Sequence, residues 1–128
     1  MATYEELRAA VDSLQRQLDQ KASRLEQLGR ERRKATRQHE EALAREQLYR
    51  DEMRRMCVSD LVSMVDYKAA RESMLRNKKL VLETRNDLAS KNLAREMLEH
   101  ESGILRGLLE TTKRDLASYG QVREFRRP

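Results

Sequence analysis

Residues that make turns and sheets are scarce in this sequence. Its 128 residues include four Gly, one Pro and no Trp, and the single Pro is the last residue, Pro128. Turns and hairpins depend on Gly and Pro, so this scarcity argues against a β-rich or α/β fold. The apolar fraction is only 38%, and charged residues make up another 38%. Since globular domains are usually about 45–50% apolar, the composition predicts a mostly helical chain or a disordered one.

Cysteine and long apolar runs are also nearly absent. The single Cys57 cannot form a disulfide within the chain. No run approaches the roughly 18 apolar residues of a membrane span. The first six residues show neither the basic nor the apolar part of a secretory leader. We therefore expect a cytoplasmic protein that is not secreted and has no membrane span.

The apolar residues that are present follow a seven-residue repeat. The two columns of this repeat that contain Tyr4 and Leu7 hold 34 positions up to Tyr119, and 22 are apolar, against 27 of the other 94 positions. This contrast is typical of the a and d positions of a coiled coil. We call these two columns the seam. The residues predicted to carry it are Leu7, Val11, Leu14, Leu18, Leu25, Leu28, Met53, Met56, Val81, Leu88, Leu98, Leu105, Leu109 and Leu116.

The seam keeps one phase from end to end. Such a strict repeat predicts an all-α chain in which one long, extended helix over residues 4–119 forms a left-handed coiled coil. Thr3 and Glu6 form a capping box, so residues 1–3 are expected to cap a helix that begins at Tyr4. Gly120 is expected to end it, leaving residues 120–128 as a basic tail. The unbroken phase argues against a hairpin, although it does not exclude one.

The charges beside the seam bear on how two copies would pair. Column e is mostly basic and column g mostly acidic, with Arg45 among the exceptions. In a parallel pair, Asp66 would meet Arg71 and Glu101 would meet Arg106 of the second copy. Each exposed pair contributes only about 0–1 kcal/mol. The pattern therefore favours a parallel homodimer without excluding membership of a heteromeric helical bundle.

Residues 29–46 form a weak, basic part of the seam. The a and d positions of this stretch include Arg32, His39 and Glu46, whose side chains resist burial. The same stretch holds the densest basic run of the chain, made up of Arg30, Arg32, Arg33, Lys34 and Arg37. A solvated helix face is the usual meaning of such a run. Contact with an acidic partner is the alternative.

Residues 57–82 are apolar on two sides. The seam continues through Tyr67, Met74 and Val81, while a second apolar line runs along the face that a two-stranded coil leaves in water. This line consists of Val58, Leu61, Val62, Val65, Leu75 and Leu82. A local shift of the seam would account for part of it. Docking onto a larger partner accounts for both lines, and we expect these residues to form that contact.

The sequence shows no arrangement of residues that is typical of a catalytic or metal-binding site. His39, His100 and Cys57 lie far apart along the chain, and no His or Cys spacing matches a metal site. Neither a glycine-rich phosphate loop nor a nucleophile elbow is present. We therefore expect no catalytic, cofactor-binding or metal-binding residue, no small-molecule substrate, and a protein that is not an enzyme.

These observations favour a structural role. We expect a scaffolding coiled-coil subunit that links or docks protein partners in a larger assembly of the cytoskeleton, such as a microtubule or a cilium, where tubulin offers an acidic surface. The net charge of +5 fits such a surface. The alternative is a coiled coil that binds nucleic acid or an anionic membrane surface through residues 30–37. Sequence-specific DNA binding is disfavoured, because leucine zippers follow their basic region.

Overall fold

Two α-helices account for nearly all of the described chain. The structure is a computed structural model, and it describes residues 3–59 and 62–125, apart from the side chains of residues 120–125. Helix α1 spans Tyr4–Val58 and helix α2 spans Met64–Phe125. No strand occurs within the described ranges. The all-α prediction is therefore confirmed.

Helix α1 begins where the capping box predicts. The Thr3 amide donates to Glu6 Oε2 at 3.1 Å, and the Glu6 amide donates to Thr3 Oγ1 at 3.2 Å. These two bonds satisfy amide groups that have no partner within the helix. Met1 and Ala2, the other residues of the predicted cap, lie outside the described residues.

The expected single helix over residues 4–119 is replaced by two helices. The described residues between them, Ser59, Val62 and Ser63, are not helical, and residues 60 and 61 of this connection lie outside the described chain. Ser63 starts α2 as its N-cap, since its Oγ accepts a hydrogen bond from the Asp66 amide at 3.2 Å. The carbonyl of Ser63 also accepts from the Tyr67 amide at 3.1 Å. A serine cap thus starts a new helix without the help of Gly or Pro.

The far end of α2 also differs from expectation. The helix runs to Phe125, so Gly120 lies inside it and does not end it. Residues 126–128 of the predicted basic tail fall outside the described part of the chain. Glycine permits a helix end but does not require one.

The chain divides into two compact units. The terminal unit combines Met1–Leu28 with Ala94–Pro128, and the central unit is Gly29–Leu93. Each unit contains a segment of α1 and a segment of α2.

In the terminal unit the two segments run antiparallel. The rings of Tyr4 and Tyr119 lie 5.8 Å apart between centroids. Further along, Lys21 Nζ lies 2.7 Å from Glu101 Oε2. The partner number falls as the α1 number rises, which defines the antiparallel direction. Leu28 and Leu109 are the buried apolar side chains of this unit, with exposed fractions of 3% and 7%.

The central unit shows the same direction. His39 Nδ1 lies 3.0 Å from Thr84 Oγ1, and Asn77 Nδ2 donates to the Ala42 carbonyl at 3.0 Å. The Thr84 hydroxyl also lies 2.9 Å from the carbonyl oxygen of Leu80 on its own helix. His39 and Asn77 therefore find hydrogen-bond partners on the opposite helix.

The seam residues are the ones that the helices cover. Of the 33 described seam positions, 30 are buried or half-buried, and the exceptions are Ser63, Arg95 and Tyr119. Ser63 is the cap of α2, and Arg95 turns outward to an ion pair with Glu99 at 3.0 Å. Within each unit, the cross-helix contacts above join the chain to itself and run antiparallel. A parallel pairing of two copies stays a prediction.

The stretch predicted to be the weakest part of the seam is well covered. Ala35 and Ala42 have exposed fractions of 2% and 0%, the lowest among the buried residues described. Small side chains let two helix axes approach closely, because the distance between axes depends on the residues at the contact. The shortage of apolar area at residues 29–46 thus leaves the helices close together, not apart.

Candidate docking surfaces

Helix α2 carries an apolar line on its outer side within the central unit. Met64, Leu75, Leu82 and Leu93 have exposed fractions between 51% and 71%. They are spaced by 11, 7 and 11 residues, and at 3.6 residues per turn each step returns to within about 20° of the same face. We call these four residues the outer line. Since the seam of α2 faces α1, the outer line is a second apolar face without a partner among the described residues.

Most of the residues predicted to dock are exposed. Val58 at the end of α1 is 85% exposed and Val65 is 76% exposed, while Leu75 and Leu82 belong to the outer line. Val62 is half-buried in the connection. Leu61 lies outside the described residues. The structure also adds Met64 and Leu93 to this face. The seven-residue repeat did not include them, because the outer line alternates steps of 7 and 11 residues.

The basic run of α1 presents one charged face. Arg30, Arg33, Lys34 and Arg37 are all exposed, and their spacing places them within about 100° of one another around the helix. None of the four forms an ion pair within the described part of the chain. We call these four residues the basic face. Arg32, the fifth member of the predicted patch, is half-buried on the seam and is not part of it.

The two units differ in charge. The central unit has 16 Lys and Arg residues against 11 Asp and Glu residues, whereas the terminal unit has 11 of each. The whole net charge of +5 therefore belongs to the central unit. An acidic partner would be attracted to this unit and not to the other.

No family model, curated protein or solved structure matches this chain.

The described residues contain no metal-binding group of three or more His, Cys, Asp or Glu side chains. Cys57 is an exposed free thiol. His39 bonds to Thr84 on the seam, and His100 is exposed. Among these same residues, no helix is both long and apolar enough to cross a membrane.

Two shallow clefts lie between the helices of the central unit. The first, of about 330 Å³, is lined by Arg45 and Tyr49 from α1 and by Ser73, Arg76, Asn77 and Leu80 from α2. The second, of about 440 Å³, shares Tyr49 and Ser73 with the first and adds Glu52, Met56, Val62, Asp66, Ala69 and Ala70. We call them the arginine cleft and the acidic cleft. Both run along column g of the repeat.

The arginine cleft is not predicted from the sequence, although one feature of the sequence indicates it. Arg45 is an exception in a mostly acidic column, and Asn77 is a polar residue on the seam. The two come together only when α2 folds back on α1. A single extended helix would hold them 32 residues apart, which is about 48 Å.

Proposed function

We propose that the protein is a non-catalytic docking element of a larger assembly and that the outer line of α2 is its main contact with a partner. The observation that supports the proposal is the presence of two apolar faces on one helix. The seam of α2 is covered by α1, whereas Leu75 and Leu82 of the outer line remain more than half exposed. Four large apolar side chains aligned on one exposed side of a helix can serve as anchors for a partner helix.

A helix is the partner structure that best fits this surface. The outer line follows the period of a straight helix over 30 residues, from Met64 to Leu93. A partner helix lying along it would place its own apolar residues at matching steps, as in helix-in-groove recognition. In that arrangement the coiled-coil character predicted from the heptads would extend to three or more helices.

Replacing Leu75 and Leu82 together with Glu should abolish capture of the partner, because two carboxylates would have to be buried in the contact. The variant should keep its helix content, since both side chains point away from the seam. The measurement is a pull-down from the native cell with quantitative mass spectrometry, combined with circular dichroism of the purified protein.

Leu43 and Leu48 provide a matched control for this test. They are exposed leucines of α1 in the same unit, with exposed fractions of 44% and 67%, and they are not part of the outer line. Leu43→Glu with Leu48→Glu makes the same chemical change on the other helix and should leave the captured proteins unchanged. Identical capture by both double variants would remove the outer line as the docking surface.

A second contact, to an acidic surface, is supported by the basic face. Four exposed cations without ion pairs lie on one side of α1, in the unit that holds the whole net charge. A cytoskeletal assembly offers such a surface in tubulin, and nucleic acid or an anionic membrane would be the alternative. The attraction would act over roughly a Debye length, about 10 Å at 0.1 M salt.

Changing Arg30, Arg33, Lys34 and Arg37 to Gln should eliminate most co-sedimentation with microtubules at low salt. Changing Arg8, Arg16, Arg106 and Arg114 of the terminal unit to Gln removes the same charge and should have a much smaller effect. Equal losses in the two variants would mean that only net charge matters. Co-sedimentation that follows RNA or anionic vesicles instead, with the same dependence on the basic face, would favour the alternative surface.

A further inference from the structure

The arginine cleft of the central unit has the charge and the donors of an anion site. Each helix contributes one guanidinium, Arg45 from α1 and Arg76 from α2. Among the described residues, no Asp or Glu lines this cleft, and neither arginine forms an ion pair. We propose that the cleft binds a phosphate group, as inorganic phosphate or as a phosphate monoester. This site is separate from the outer line and does not depend on the proposed docking function.

The side chains in the cleft are arranged to donate hydrogen bonds. Arg76 Nη2 donates to Ser73 Oγ at 3.4 Å, which holds the guanidinium against the cleft. The Ser73 oxygen is the acceptor in this contact, so its own proton is available to an anion. Tyr49 adds a second hydroxyl to the lining. A guanidinium presents its donors in a fixed fork that matches two phosphate oxygens, and two guanidiniums would share the charge.

The helix segments that carry the two arginines are tied together beside the cleft. Asn77 is only 7% exposed, and its Nδ2 donates to the Ala42 carbonyl at 3.0 Å. This bond ties α2 to α1 between the positions that carry Arg76 and Arg45. Binding of an anion therefore has to order the exposed side chains of Arg45 and Arg76, but not the two helices.

The acidic cleft bounds the proposed phosphate site at one end. It adjoins the arginine cleft through Tyr49 and Ser73, and it carries the carboxylates of Glu52 and Asp66. These carboxylates repel an anion, so a phosphate is confined to the end that holds Arg45 and Arg76. A diffuse attraction to the basic unit as a whole would show no such boundary.

The test uses the full chain labelled with ¹⁵N and titrated with inorganic phosphate and, separately, with O-phosphoserine. The Nε–H signals of Arg45 and Arg76 should shift together and saturate, while the Nε–H signals of Arg54 and Arg85 should not. Tighter binding of O-phosphoserine would support a phosphorylated side chain as the source of the group. Equal affinities would support free phosphate, and both outcomes support the site.

Two double variants separate the site from general charge. Arg45→Gln with Arg76→Gln should weaken phosphate binding by about tenfold or more, because each lost bond involves a charged group. Arg54→Gln with Arg85→Gln removes one exposed arginine from each helix of the same unit, away from both the cleft and the basic face, and should change phosphate binding by less than roughly twofold.

A third variant checks the geometry and does not depend on removing charge. Arg45→Lys with Arg76→Lys keeps both charges but loses the fork, and it should bind more weakly than the wild-type chain. Equal weakening by the two Gln pairs, or shifts that do not saturate at the Arg45 and Arg76 signals, would overturn the proposal.

Discussion

Replacing Ala42 with Glu is expected to separate the two helices of the central unit and to lower the free energy of unfolding by about 3 kcal/mol or more. Ala42 has an exposed fraction of 0%, and its carbonyl accepts the Asn77 hydrogen bond. A glutamate there adds volume where the helices approach closely and places a carboxylate where no water reaches it. The measurement is urea unfolding followed by circular dichroism, with hydrogen exchange to locate the loss of protection.

Ala44→Glu is the matched control for this prediction. Ala44 is exposed and lies two residues away on the same helix, so it receives the same charge and the same change in helix propensity. Its expected cost is below about 1 kcal/mol. If hydrogen exchange showed the central unit equally protected in both variants, Ala42 would not lie at a tight helix contact.

The second large effect is expected in the terminal unit. Leu109 is 7% exposed on the seam, whereas its neighbour Leu108 is 51% exposed. Leu109→Ala should cost about 2–3 kcal/mol, because it removes buried methyl groups and leaves a cavity against α1. Leu108→Ala should cost less than about 1 kcal/mol. The same substitution in the same turn cancels any difference in helix propensity.

The free energies of unfolding of the two variants are compared through their urea midpoints at constant m-value. Similar midpoints would show that the seam columns do not decide which side of α2 is covered. Hydrogen exchange in the segment around Leu109 provides a local check, since protection there should fall only in the Leu109 variant.

The pairing surface of the fold could be predicted from the sequence, but its direction could not. The seven-residue repeat selects the residues that face a neighbour, and these residues are covered in the structure. The same repeat is satisfied whether the neighbour is a second copy or the chain itself. The repeat keeps its phase between Met56 and Tyr67 because of the number of residues in the connection. The connection does not have to be helical for this.

The break between the helices did have a local signal. Ser63 and Asp66 have the spacing of a capping motif, and the polar residues Ser59 and Ser63 stand on either side of the connection. This signal is weaker than the Gly or Pro that usually marks a turn, and it coincides with apolar residues such as Val62 and Val65. Those apolar residues predict a docking face, whereas the structure shows that Ser63 caps a new helix there.

The candidate sites were predictable to different degrees. The basic face follows from spacing along one helix, so the sequence was sufficient to identify most of it. Arg32, which the repeat places on the seam, is half-buried there and does not share the exposed face. The arginine cleft required the register between the helices, which depends on contacts such as Asn77 with Ala42, 35 residues apart. Single-helix patterns do not contain that information.

The intrachain pairing has a consequence for how the protein responds to dilution. A coiled coil of two separate chains loses helix as its concentration falls, because association is part of its folding. In this protein the bond from Asn77 to the Ala42 carbonyl and the contact of Tyr4 with Tyr119 each join two parts of one molecule. The second helix is supplied at a local concentration fixed by the short connection near Ser63. We therefore expect the helix content, measured by circular dichroism, to stay constant as the protein is diluted.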